Sequence, residues 1–185
     1  MIAKSDMSVK LRKLLEKDPD QVERFEVKTG FHVDFMRFND RPYEGVNSII
    51  TNGLADYFES KPVELVITYD ANSLDQSTDL NAFLATYIQL HYFDNHTKMY
   101  ERNHFCIPGE LIKGFGYTGV YATNPVYFPR NCFDDISEAR FLWLIPIFQN
   151  EYDFIDRFGA KSFESFLVDN DPDMSKFDRH PLDMG

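Results

Sequence analysis

The chain has 185 residues, 43% hydrophobic and 16% aromatic, with 18 Phe and 10 Tyr, which supplies enough apolar surface for one folded domain and excludes a disordered chain. Its 19 basic and 30 acidic side chains give a formal net charge of −11, which argues against nucleic acid or an anionic membrane as partner and favours a basic protein surface. The imbalance grows along the chain: residues 1–30 carry seven basic and six acidic residues, residues 31–130 seven and twelve, and residues 131–185 five and twelve.

The first residues lack a continuous apolar segment and a small-residue cleavage site, so no secretory leader is expected. The most apolar run, residues 141–148, is eight residues long and too short to span a bilayer. Two cysteines, Cys106 and Cys132, fit a reduced cytoplasmic protein better than a disulfide scaffold.

In chain order, Val9, Leu11, Leu14 and Leu15 follow a helical spacing, with Ser8 as a cap. Asp18-Pro19 ends that helix and predicts a second short helix through Val22 and Phe25. Residues 31–38 read as a strand, with Phe31, Val33 and Phe35 on one face and His32, Asp34 and Met36 on the other. Two further β-branched runs, residues 46–51 and 63–69, flank a turn at Asn52-Gly53. Leu80, Phe83, Leu84, Tyr87, Ile88 and His91 mark a long helix over residues 78–100, capped by Asp75, Ser77 or Thr78. Residues 101–119 read as loop. Residues 120–128 read as an edge or bulged strand, because Pro125 cannot donate to a ladder. The continuous apolar run at 141–147 reads as a central strand buried on both faces, ended by Pro146. Two short helices broken at Gly159 follow, and then a polar tail anchored by Phe177 and Leu182. Together these elements predict an α+β fold: a mixed, largely antiparallel sheet with helices packed against it. The domain organisation expected is a helical segment over residues 1–30 followed by one globular domain over residues 31–185.

Chemistry is sparse in the pattern. The histidines are His32, His91, His96, His104 and His180, and no Cys-x-x-Cys or His-Glu-x-x-His accompanies them. His104, Cys106 and His91 could form a metal site or a thiolate–imidazole pair, but Cys106 is flanked by Phe105 and Ile107, the setting of an inert thiol. The glycines at 114, 116 and 119 lack the lysine of a phosphate loop. No catalytic residue, metal or cofactor is expected.

Four segments carry a resemblance. Thr51-Asn52-Gly53-Leu54-Ala55-Asp56 is similar to a Thr-Ser-Gly-Met-Ser-Asp segment. Pro62-Val63-Glu64-Leu65-Val66-Ile67 is similar to the strand that follows it. His104-Phe105-Cys106-Ile107-Pro108-Gly109 is similar to a His-Thr-Ile-Pro-Asn-Gly loop. Trp143-Leu144-Ile145-Pro146-Ile147, with Glu151 beyond it, is similar to a closing strand and the helix after it. In this order they resemble the suppressor of fused domain family over residues 31–182. The resemblance implies an α+β domain that binds protein and performs no catalysis. Animal relatives clamp a short peptide of a transcription factor as an added strand, using a second domain that this chain is too short to hold. Bacterial single-domain relatives resemble immunity proteins that neutralise a protein toxin. The implied motif residues are Gly53, Asp56, Glu64, His104, Pro108, Pro146 and Glu151, each expected to serve the fold. The expected partner is a cognate toxin domain with a basic surface. A peptide-binding scaffold, working by strand addition near Pro125, is the alternative.

Their physical roles follow from residue type. Gly53 takes a backbone conformation closed to residues with a Cβ. Asp56 caps the short segment over residues 54–59. Glu64, inside an apolar strand, must be exposed on an edge or hydrogen-bonded, because a lone buried carboxylate is costly.

Overall fold

A computed structural model describes residues 4–57, 62–74, 78–90, 101–106, 109–129, 133, 136 and 139–185. Helix α1 (Lys4–Leu14) precedes strands β1 (Gln21–Lys28), β2 (Phe31–Phe38) and β3 (Val46–Asn52), a 3-10 turn (Ala55–Tyr57) and strand β4 (Val63–Asp70). Helix α2 (Leu80–Ile88), strands β5 (Asn103–Cys106), β6 (Gly119–Thr123) and β7 (Arg140–Ile147), and helices α3 (Gln149–Phe158) and α4 (Ala160–Asn170) complete the order. The strands form one sheet, β1-β2-β3-β4-β7-β6-β5. Every neighbouring pair is antiparallel except β4 and β7, which run parallel. The α+β expectation therefore holds.

Strand periodicity divides the core between two faces. On the first face Val33 and Phe35 of β2, Leu65 and Ile67 of β4, and Leu142 and Leu144 of β7 pack against Leu80, Phe83, Leu84, Tyr87 and Ile88 of α2. On the second face Met36, Phe38 and Ile50 pack against Met7 and Leu11 of α1. Trp143, Ile145 and Ile147 of β7, also on the second face, meet Ile155 of α3 and Phe163 of α4. The run at 141–147 is thus a central strand buried on both faces, as its continuous apolarity requires.

Several local expectations are corrected. Residues 22–25 are strand, not helix: in QVERFEVK, Phe25 and Val27 turn inward while Arg24, Glu26 and Lys28 turn outward, and β2 offers a ladder that a short isolated helix lacks. Helix α1 starts at Lys4, so Ser8 lies within it, and its apolar stripe is Met7, Leu11 and Leu15 while Val9 is exposed. The cap of α2 is Asp79, whose carboxylate accepts from Ala82 N at 2.9 Å. Of the earlier cap candidates Asp75 and Ser77 lie outside the described residues, as do His91 and residues 91–100 of the long helix predicted there.

Strand β6 ends before Pro125 and lies inside the sheet between β7 and β5. The outer strand at that end is β5, within a segment read as loop because its glycines and Pro108 mask four residues of strand. Gly119 permits the close approach: a Cβ there would stand 3.1 Å from Phe105 O and 3.2 Å from Ile147 Cγ1. Pro146 does not end its strand either. It sits opposite Val120, and Ile147 beyond it still accepts from Thr118 N at 3.1 Å. The carbonyl of Pro146 points to Arg179 instead of β6, so the missing N–H falls on a side with no ladder to complete. Pairing of β4 with β7 runs only from Val63↔Arg140 to Val66↔Trp143. Beyond it the C-terminal segment bonds to both, through Asp70 N to Ser175 O at 2.9 Å and Arg179 to Pro146 O at 3.1 Å. Phe177 is buried there and Leu182 packs on α3 and α4, the anchors expected of the tail.

Leu144 is 1% exposed at the centre of this arrangement, whereas Val126 is 66% exposed. Leu144→Ala is expected to cost about 2–5 kcal/mol of unfolding free energy and Val126→Ala less than about 0.5 kcal/mol. Urea denaturation of the two variants checks the contrast.

Candidate functional site

Two buried carboxylates organise the motif residues. The first is Glu64 on β4, fully buried. Its Oε1 accepts from Gly53 N at 2.9 Å and Ala55 N at 3.1 Å. Its Oε2 accepts from the Thr51 hydroxyl at 2.6 Å and Leu54 N at 3.4 Å. The Thr51 oxygen in turn accepts from Leu65 N at 2.7 Å. The β3–β4 connection leaves several backbone N–H groups facing inward at the start of the 3-10 turn, and one side chain from the adjacent strand takes three of them. Gly53 has φ +98°, the left-handed conformation expected of it, and this turns the N–H groups toward Glu64. Asp56 was expected to cap this segment; it lies within the 3-10 turn, and Glu64 serves the turn's N–H groups. Burial pushes the Glu64 carboxyl up from 4.5 to about 7, against the pull of its four donors.

The second is Glu151 in the first turn of α3, with a fully buried side chain. It accepts from Phe148 N at 3.1 Å, closing the N-terminus of its own helix. Arg179, from the C-terminal segment, meets it with both arms of the guanidinium: Nη1 to Oε1 at 2.6 Å and Nη2 to Oε2 at 2.8 Å. Leu182 N adds a bond to Oε1 at 3.0 Å. The guanidinium lies 5.0 Å from the Phe148 ring centre and 5.5 Å from that of Tyr117. Sequence reasoning found Glu151 and missed Arg179. The weak signal was a single arginine in a tail rich in aspartate, 28 residues from its partner.

The other motif residues are not gathered with these. His104 lies on β5 with its ring 5.1 Å from that of Tyr152 on α3, and burial holds its pKa below the ordinary value while Asp156 opposes the shift. Cys106 is a partly buried free thiol on the same strand. Pro108, Cys132, His91 and His96 lie outside the described residues. Among the described residues no group of three or more His, Cys, Asp or Glu side chains is placed to hold a metal ion, and no helix is long and apolar enough to cross a membrane.

Both carboxylates make measurable predictions. Below pH 4.5 Glu64 is protonated in folded and unfolded chains alike. Between 4.5 and about 7 the unfolded chain loses that proton more readily, so Glu64 lowers stability as pH rises, by roughly 3 kcal/mol across the window. Glu64→Gln removes this slope, and at pH 5 it costs about 1–3 kcal/mol because its NH2 faces donors. Denaturation of both proteins at pH 4, 5, 6 and 8 tests the difference. Arg179→Ala leaves Glu151 buried without its cation and is expected to cost about 3–5 kcal/mol. Arg179→Lys keeps the charge but loses the two-armed geometry and should recover only part of it, as thermal unfolding would show.

The model of the suppressor of fused protein (SUFU) family matches residues 30–180. A crystal structure of a candidate suppressor of fused homolog from Neisseria gonorrhoeae FA 1090 is similar over 96% of this chain and 95% of that one, with a TM-score of 0.70 and 15% identity. The Sufu–Fu complex crystal structure is similar over 92% of this chain and 84% of that one, with a TM-score of 0.62 and 12% identity. No curated protein matches the chain. With the family model covering most of its length, including Gly53, Glu64 and Glu151, the chain belongs to the suppressor of fused family.

Proposed function

We propose that this chain is a non-enzymatic protein-binding domain acting in the cytoplasm as an immunity protein, which neutralises a cognate protein toxin through the toxin's basic surface. The observation that carries this is the use of the motif carboxylates: Glu64 and Glu151 spend their oxygens on backbone N–H groups and Arg179, leaving neither free to meet a substrate. The surplus of 11 negative charges remains to face a partner. A related fold is found in a complex of two proteins, Sufu and Fu, which supports binding as the activity of this chain as well. Gly53, Asp56, Glu64, His104, Pro108, Pro146 and Glu151 are proposed to serve the fold, not contact.

The test is capture of the partner with tagged protein from the native cells, followed by co-expression. One near-stoichiometric partner is expected, with a basic domain whose toxicity co-expression relieves. The association rate should fall about 10-fold or more between low and physiological salt. A partner without toxicity overturns the immunity role, and a salt-independent rate overturns the electrostatic part.

A second reading has one observation in its favour. Strand β1 ends the sheet, and Val22 on it is 50% exposed, so an extended peptide could add there. The earlier choice of residues 120–128 fails, because β6 is internal. Binding of an extended peptide, with no binding of any folded domain, would favour the scaffold.

A further inference from the structure

The sheet face beneath α2 is not covered to its end. Polar side chains cross four strands there: Gln21 of β1 stands opposite Arg37 of β2, and Asn47 of β3 opposite Tyr69 of β4. With Glu23, Ala71, Leu74 and Thr78, and with Asp79, Leu80 and Asn81 at the start of α2, they line an open groove of about 550 Å3, within the volume range of small-molecule sites.

The groove holds donors that the fold does not use. The Arg37 guanidinium lies 6.0 Å from the Tyr69 ring centre and enters no ion pair or hydrogen bond among the described residues, in a chain with 30 acidic side chains. Tyr69 is 4% exposed and floors the groove, its hydroxyl buried and without a partner among the described residues. Asn81 is 7% exposed and its amide likewise makes no bond among the described residues. Asn47 uses its oxygen on Asp40 N at 3.0 Å, which leaves its NH2. Ranged against these donors are the carboxylates of Glu23, held by the Gln21 amide, and Asp79, held by the first turn of α2. Leu74 and Ala71 supply an apolar wall. A dianion would be repelled by the two acids, and a bare cation would leave Arg37 unanswered. A group carrying both charges answers both.

We propose that this groove binds a small zwitterion of the free amino-acid class, with its carboxylate on Arg37 and the Asn47 amide, its ammonium on Glu23, and an apolar side chain against Leu74. The test of this site does not depend on the protein-binding reading.

The experiment uses the full chain labelled with 15N and the twenty standard L-amino acids added singly at about 5 mM, suited to dissociation constants of roughly 10 μM to 1 mM. The readouts are the Arg37 Nε–H and the side-chain amides of Asn47 and Asn81. At least one apolar amino acid should shift these signals saturably. Its amine-only and carboxylate-only analogues should each bind about 10-fold more weakly or worse. Arg37→Ala should weaken binding by about 10-fold or more; if it does not fold, Arg37→Lys should still weaken it, having lost the planar fork. The proposal is overturned if no amino acid moves these signals, if an analogue with one charge binds as tightly as the zwitterion, or if binding survives unchanged in Arg37→Lys.

Discussion

A carboxylate with no exposed surface sits inside the apolar strand β4, and the turn before it is built around that group. Glu64 draws Gly53, Leu54 and Ala55 N–H groups together and holds the Thr51 hydroxyl, which receives Leu65 N. These bonds tie the end of β3 to the start of β4 and set where the ladder between them begins. An ordinary apolar residue at 64 would suit the strand and leave the turn's donors buried and unmet, at a cost of about 1–3 kcal/mol each. The position of β4 matters beyond its own pairings, because it joins the antiparallel half of the sheet to β7 by the one parallel pairing.

Glu151 solves the same problem at the other end of the fold. The first turn of α3 needs an acceptor, the C-terminal segment needs an anchor, and one buried carboxylate serves both through Phe148 N, Leu182 N and Arg179. A buried pair of this kind contributes less net stability than its geometry suggests, because both charges are desolvated. Its clearer effect is positional. It fixes Arg179, and with it a segment that bonds to β4 and β7 where their mutual pairing has stopped. In both places a carboxylate is turned inward, onto backbone N–H groups and, at Glu151, onto Arg179 as well.

Much of the fold was legible because apolar patterning is local. The alternation in β2, the β-branched runs of β3 and β4, the continuous run of β7 and the break at Gly159 each act within a few residues. The failures arose where a neighbour overrode local preference. Residues 22–25 have a proline ahead of them that suits a helix start, yet β2 offers an edge and they take it. Four residues of β5 are hidden among glycines whose function, at Gly119, is to let β5 approach. Pro146 looked like a stop because a ladder was assumed on both sides, and one side is occupied by Arg179. The need of Glu64 for partners could be stated from the sequence, but Thr51 as relay and Arg179 as counter-charge depend on chain segments brought together only by folding.

Charge is the property that folding redistributes least. Glu151 and Arg179 cancel each other in the interior, so the acidic excess of residues 131–185 is carried by the other side chains. Asp153, Asp156, Asp169 and Asp171 are exposed on or beside α3 and α4 and outnumber Arg157 and Lys161 there, whereas Arg12 and Lys13 are exposed on α1. Both sets of helices cover the same face of the sheet, α1 against Met36 and Phe38 and α3 with α4 against Ile145 and Ile147. A basic surface approaching that face meets repulsion at α1 and attraction at α3 and α4, so the field orients an encounter before any contact forms. Net charge alone gives attraction without direction; direction comes from the topology, which sets the basic helix and the acidic pair at different strands of one sheet.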